Sequence, residues 1–301
     1  MAEVIRSETF FQNDELVILG ICRDVGEALT QNLERLHFAF NDFSKVHMRI
    51  VESDSSDSTV EVLRRYSANN QDFDFESLGM LQSTIPDRWE RIAFCRNRAA
   101  ELLLNDIRLQ DCKWVVVADL DGINSEITPE AAISCWSRSD WDVCTANQGA
   151  PYYDVFALRH PLWSPNDCWR YEAELIANGN HPIVARELAI YSRQKFIPAD
   201  AEWISVDSAF GGLAIYKREF YLLGKYLGKT RDGGRTCEHV PFHGDLKAAG
   251  ARIFINPALI NSCWNEHNYK HSFLNKVKRK IKLQMVSLGS RSIQDNGAAR
   301  C

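Results

Sequence analysis

Trp114-Val115-Val116-Val117-Ala118-Asp119-Leu120-Asp121-Gly122-Ile123-Asn124 reads as a buried strand that ends abruptly in two carboxylates. Its Val-rich run is too short for a helix and suits a parallel strand covered on both faces. Ligands of open α/β sheets collect beyond the carboxyl ends of the strands, so Asp119 and Asp121 stand where chemistry is expected. Alternate residues of an extended segment point the same way, which lets both carboxylates approach one divalent cation. Mg²⁺ or Mn²⁺ takes a few carboxylate oxygens together with waters and phosphate oxygens. The plainer reading is an acidic loop that caps whatever follows.

Upstream, the pattern repeats. Leu16 to Cys22 is a continuous apolar run, followed by a turn at Arg23-Asp24-Val25-Gly26 and a helix from Glu27 to Phe40 with Leu29, Leu33, Leu36 and Phe40 on one face. Met48 to Glu52 is a second strand, and the polar cluster Ser53 to Thr59 offers N-caps for a helix from Val60 to Tyr66. A short strand at Phe73 to Leu78 and a helix from Glu90 to Asn105 lead into the Trp114 strand. Strands alternating with helices predict βαβ units, a mostly parallel central sheet and right-handed crossovers. The expected class is α/β, with Rossmann-like layering.

Composition bounds the rest. The 301 residues are 45% hydrophobic and 25% charged, with a net charge of -5, which leaves no overall nucleic-acid footprint. The polar N-terminus, Met1 to Asp14, predicts no secretory signal, and no run reaches the length of a membrane span. The nine cysteines are scattered singly, as expected for buried thiols in a reducing cytosol.

Four segments in order carry a resemblance: Cys22-Arg23-Asp24, Val51 to Thr59, Arg91 to Ala99 and Ala118-Asp119-Leu120-Asp121. They look like the nucleotide-sugar-binding half of a GT-A (family 2-like) glycosyltransferase. The Arg-Asn-Arg helix before the Asp-x-Asp strand also resembles the capsule-associated mannosyltransferases of fungi. The likeness resumes at Phe210 to Tyr216 and at Cys237 to His243. It implies a GT-A domain over 1–268, with a donor-binding half at about 14–125 and an acceptor half at about 126–268. It also implies a hexosyltransferase of polysaccharide biosynthesis, with a nucleotide-sugar donor, Mn²⁺ or Mg²⁺, and a glycan or lipid-linked saccharide acceptor.

Site expectations follow from both sources. Metal held by Asp119 and Asp121 would stabilise a leaving diphosphate. Arg91 and Arg96, on one helical stretch, are placed to reach phosphate oxygens or the nucleobase, and Glu52 to accept from nucleobase or ribose. The resemblance adds Cys22, Arg23, Asp54, Leu120, Gly211 and Gly212 to the donor site. It makes Glu238 the base that takes the acceptor proton, with Asp207 as a second catalytic candidate. Inverting relatives often carry two consecutive acids there, whereas this chain has His239 in the second position. The resemblance also makes His267 a third metal ligand. His239 and His243 share a helical face by spacing, which raises a metal pair against a merely packed one. Between the halves, the aromatic and Pro-rich stretch from Pro151 to Trp169 suggests an acceptor region, and 185–191 fits strand or helix.

Beyond 268, Phe273, Val277, Ile281 and Met285 recur every four residues among Lys276, Lys278, Arg279, Lys280 and Lys282. Residues 269–301 thus read as a basic amphipathic helix and tail, able to pack on the fold or to lie on an anionic membrane. Two other functional classes fit less well. A non-catalytic nucleotide- or carbohydrate-binding module would not need Asp119, Asp121 and Glu238 together. A nucleotidyltransferase would want a Gly-rich, basic first loop, which Gly20-Ile21-Cys22-Arg23-Asp24 does not supply.

Overall fold

Residues 11, 13–230, 232–264, 275 and 278–284 are described by a computed structural model. The expected alternation is present: β1 (Glu15–Cys22), α1 (Ala28–Ala39), β2 (Lys45–Glu52), α2 (Thr59–Asn69), β3 (Phe73–Ser77), α3 (Arg88–Asn105) and β4 (Cys112–Asp119). Local chemistry sets the helix starts. Asp87 Oδ1 accepts from the backbone N–H groups of Trp89 and Glu90, so α3 opens two residues earlier than the sequence pattern predicts. For α2 the Asp57 carboxylate accepts from Thr59 N at 3.0 Å.

The four strands lie parallel in the order β3-β2-β1-β4. Strand alternation divides the core. Val17, Leu19, Val115 and Val117 face Ala93, Ala99 and Leu103 of α3. Leu16, Ile18, Ile50 and Val116 face Leu29, Leu33 and Leu36 of α1 and Val62 and Leu63 of α2. Both faces are covered, which is why the strands read as unbroken apolar runs. Each fully buried Leu or Val contributes about 2 kcal/mol of burial free energy. The chain runs from β1 outward to β2 and β3, then returns to the other side of β1 as β4. The strand order therefore reverses between Cys22 and Asp119, where a crevice opens.

The second half completes the sheet less regularly, with α4 (Pro129–Ile133), β5 (Val143–Gln148), α5 (Cys168–Ala177), α6 (Pro182–Ala189), β6 (Ile204–Val206), β7 (Leu213–Lys217), α7 (Arg218–Tyr221), α8 (His239–Ala248) and β8 (Ile253–Ser262). The full order is β3-β2-β1-β4-β7-β5-β8-β6, with β7 antiparallel to both of its neighbours and β6 antiparallel to β8. The segment 185–191 is helical: His181 accepts from Ile183 N and Pro182 opens α6. The last strand extends five residues past Pro257, with register shifts against β5 at Thr145 to Gln148. Among the described residues seven cysteines are buried and unpaired by disulfide, and Cys263 is exposed.

No helix among the described residues is long and apolar enough to cross a membrane. Residues 278–284 are helical. Arg279 there pairs with Glu187 of α6 at 2.8 Å and lies over the Tyr191 ring, so this part of the tail packs on the fold. Lys278, Lys280 and Lys282 are exposed.

Candidate active site

A cavity of about 350 Å³ occupies the crevice, within the size range of small-molecule sites. Asp119 ends β4 on its wall, and its backbone N–H donates to Gly212 O at 2.9 Å. Asn124 Nδ2 donates to the carbonyls of Asp119 and Gly212, and Asn261 Nδ2 reaches Asn124 Oδ1 and Gly211 O. This buried amide network ties the Asp-x-Asp turn to the 211–212 backbone. Gly212 has φ +89°, and a Cβ there would lie 2.6 Å from Ile123 Cγ2, so only Gly allows the approach. Gly122, at φ +94°, turns the chain after Asp121, whose Oδ1 accepts from Ile123 N.

Arg96 connects the two halves. Its Nη2 donates to Asp119 Oδ1 at 2.8 Å, and its Nε donates to Glu238 Oε1 at 2.8 Å. The guanidinium lies 5.1 Å from the Phe210 ring centroid. Burial works against the Arg96 charge, but the carboxylates of Asp119 and Glu238 outweigh it and hold the group charged. Burial also pushes Asp119 up to about 7; Arg96 pulls it down, while Asp121 and Glu238 push it further up. The Asp119 side chain keeps 29% of its surface open, so a cation or water reaches the carboxylate from the cleft.

Cys22, Arg23, Asp54, Arg91 and Leu120 also line the cleft. Asp54 has φ +61° and accepts from Gln82 N through Oδ1, while its buried Oδ2 has no hydrogen-bond partner among the described residues and lies 3.6 Å from Arg91 Nε. Arg91 Nη1 donates to the carbonyls of Ile85 and Pro86, which fixes its side chain rather than leaving it on a solvated face. Burial pushes the Cys22 thiol far up, so it stays neutral.

Four expected residues stand elsewhere. Glu52 is buried outside the lining, its oxygens accepting from Ser55 N and from the Ser77 hydroxyl; it shapes the loop that carries Asp54. Gly211 and Gly212 are also outside the lining, and the room beside them is filled by Gln148, Ile123 and Tyr153. Asp207 faces solvent and pairs with Lys247 at 3.2 Å. His267 lies outside the described residues. Asp119 and Asp121 belong to no trio of mutually close His, Cys, Asp or Glu ligand atoms among the described residues.

The structure also brings to the cleft Asp154 and Trp89, which sequence reasoning passed over, beside Phe156 and His239. Asp154 lines the cleft and accepts from Gly211 N at 3.0 Å and Ala157 N. Its signal was an acid inside an otherwise aromatic stretch. Trp89 and Phe156 meet edge to face on the same wall. His239 stacks on Phe210 with centroids 3.8 Å apart, and neither ring nitrogen has a hydrogen bond among the described residues.

His243 is structural. It exchanges hydrogen bonds with Ser208 Oγ and Tyr216 OH, both at 3.0 Å, so both ring nitrogens are engaged and no metal pair with His239 forms. Burial pushes His243 down from 6.5 to about 3. Below pH 6.5 the unfolded chain takes up a proton that the folded chain refuses until about 3. Stability is therefore complete above 6.5 and is lost as pH falls through that window, by about 1.4 kcal/mol per pH unit. Urea unfolding at several pH values should show this contribution as the difference between wild type and His243→Gln, because the raised Asp119 carboxyl acts with the opposite sign over part of the same window. A pH profile unchanged in slope by His243→Gln contradicts it.

A second cavity, of about 370 Å³, lies between α1 and α2 and is lined by Glu34, His37, Arg65 and Tyr66 among others. It shares no residue with the crevice and lies away from the strand ends.

No family model matches the chain, and no curated protein matches it. Solved structures similar to it include a mannosyltransferase, PcManGT from Pyrobaculum calidifontis, in complex with GDP-Man and Mn2+. That structure is 13% identical, with a TM-score of 0.47, covering 91% of this chain and 62% of that one. TarS 1-349 of S. aureus in complex with UDP-GlcNAc is 12% identical, with a TM-score of 0.44, over 86% and 61%. Glucosyl-3-phosphoglycerate synthase from Mycobacterium tuberculosis, in complex with UDP, is 11% identical, with a TM-score of 0.36, over 83% and 69%. The chain spans about three fifths of the length of the first two.

Proposed function

We propose that the chain is a metal-dependent GT-A glycosyltransferase that moves a sugar from a nucleotide-sugar donor to an acceptor hydroxyl of a glycan or lipid-linked saccharide. The observation that carries this reading is Arg96 joining Asp119 and Glu238 through two 2.8 Å hydrogen bonds on the wall of a crevice at the strand reversal. Charge for a leaving diphosphate and a base for an acceptor are thereby held within one side chain of each other.

The residues fit a hard dication. Asp119 and Asp121 offer oxygen alone, and both are open to the cleft. When bound, Mn²⁺ or Mg²⁺ would neutralise charge on the diphosphate oxygens. Arg96 Nη1 is buried without a hydrogen-bond partner among the described residues and is left to donate to a donor oxygen. Arg23 and Arg91 supply further positive charge along the cleft, and Asp54 Oδ2 accepts from ribose or base. Glu238, held by Arg96, takes the proton of the acceptor hydroxyl as the new bond forms. Trp89 and Phe156, half-buried on the cleft wall, exclude water and present aromatic surface suited to a sugar ring.

Incubation with a panel of nucleotide sugars tests this: Mn²⁺-dependent release of nucleoside diphosphate, abolished by chelator, is expected for at least one donor. Donor binding without turnover, across a range of saccharide acceptors, would favour the binding module. Release of pyrophosphate from a nucleoside triphosphate would favour the nucleotidyltransferase.

The exposed Lys278, Lys280 and Lys282 support peripheral contact with an anionic membrane, each contributing about 1 kcal/mol near the surface. Co-sedimentation with anionic vesicles should fall as salt rises. Equal sedimentation with neutral vesicles contradicts the contact.

A further inference from the structure

The end of the sheet opposite the crevice carries a second group of chemically capable side chains. Glu15 opens β1, His47 is the third residue of β2, and Cys112 opens β4. In the strand register Glu15 lies beside Cys112, and His47 lies beside Val17. With a side-chain period of two, all three emerge on one face of three adjacent strands. One ligand atom from each lies within 4.8 Å of the other two. His47 Nε2 is 3.0 Å from Glu15 Oε2, and on the far side of the ring Nδ1 is 3.5 Å from Asp72 Oδ1 without a hydrogen bond.

We propose that Glu15, His47 and Cys112 form a binding site for a Zn²⁺-type dication, which ties β2, β1 and β4 together at the foot of the sheet. Sulfur, imidazole nitrogen and carboxylate oxygen are the three donor types that Zn²⁺ takes, at about 2.0–2.3 Å. A tetrahedral site of that size sets its donors about 3.5 Å apart, so a contraction of about 1 Å from the observed limit assembles it. The Asp72 carboxylate lies behind the ring, where closing from 3.5 Å to hydrogen-bond distance would let it orient a metal-bound imidazole. Charge also balances: one dication, one thiolate and one carboxylate sum to zero in a site where His47 and Cys112 are both 1% exposed. On binding, the Cys112 thiol passes its proton to solvent and the thiolate takes the metal, with no change of oxidation state. Burial, with Glu15 next, pushes that thiol up to about 12, and a bound dication reverses the preference. Glu15 keeps 32% of its side chain open, leaving an entry and a fourth position for water. Arg49, on the same face, is already neutralised by Asp106.

Cobalt distinguishes this site from the all-oxygen pair in the crevice, because only a thiolate ligand gives a strong sulfur-to-cobalt charge-transfer band in the near ultraviolet. The full chain, stripped with chelator and titrated with Co²⁺, should develop that band at one equivalent and lose it on adding Zn²⁺. The band should vanish in Cys112→Ser, weaken in His47→Asn with affinity down at least about tenfold, and persist in Asp121→Ala. Absence of the band in the wild-type chain, or its full retention in Cys112→Ser, overturns the proposal. Should Cys112→Ser fail to fold, X-ray absorption of the Zn²⁺-loaded wild type decides alone. A first shell with one sulfur supports the site, and one without sulfur overturns it.

Discussion

Asp121→Ala is expected to lower sugar transfer by about three orders of magnitude, because stabilisation of the leaving diphosphate by metal is worth several kcal/mol. The substitution should cost little stability: Asp121 is exposed, and its one hydrogen bond among the described residues is from Ile123 N within its own turn. Calorimetry should show wild-type binding of a nucleoside diphosphate that requires Mn²⁺, and a variant in which that requirement has gone together with most of the affinity. Asp119→Asn makes a stricter comparison, since it keeps the shape and an acceptor oxygen for Arg96 while removing the charge. Unchanged metal dependence in both variants would move the metal elsewhere.

Glu238→Gln separates binding from chemistry. Gln retains an oxygen in the position that accepts from Arg96 Nε, so the Arg96 side chain stays in place and donor affinity should remain within about twofold. Transfer should fall about 10²- to 10⁴-fold, the usual worth of a positioned general base. Because the loss lies in the chemical step, kcat should drop with little change in donor KM. Wild-type turnover in this variant would assign the base elsewhere or point to retention of the anomeric centre. Asp207, paired with Lys247 in solvent, receives no part in this scheme.

Much of the first half was legible because its strands are covered on both faces. Continuous runs such as Leu16–Cys22 and Trp114–Ala118 admit few other readings, and the cap at Asp57 is local, whereas the Asp87 cap that opens α3 went unread. The crevice was legible for the same reason: strand ends at Cys22 and Asp119 follow from strand order alone. Glu52 misled because position at a strand end does not reveal partners. Its oxygens are occupied by Ser55 and by Ser77, which β2–β3 pairing brings beside it. Gly211 and Gly212 read as a surface for ligand, yet their freedom serves contact with Ile123 and Gln148, which are distant in sequence.

The second half was harder for a physical reason. β7 is short, apolar on both faces and inserted antiparallel between β4 and β5, and nothing in five residues encodes direction. The strand through Pro257 continues because the sheet tolerates a register shift there. Spacing placed His239 and His243 on one helical face but could not foresee that Ser208 and Tyr216 would engage both nitrogens of His243. Arg96 was identifiable as a basic residue on the helix before β4. Its bridge between Asp119 and Glu238 spans 142 residues of sequence on one side and needs the folded chain.

A crystal structure of the full chain with a nucleoside diphosphate and Mn²⁺, phased for the anomalous signal of manganese, tests the central claim most directly. The account predicts one manganese peak about 2.2 Å from an oxygen of both Asp119 and Asp121, with diphosphate oxygens completing its shell and Arg96 within hydrogen-bond reach. A diphosphate seated in the cavity between α1 and α2, or in the crevice with no manganese at Asp119 and Asp121, would contradict it.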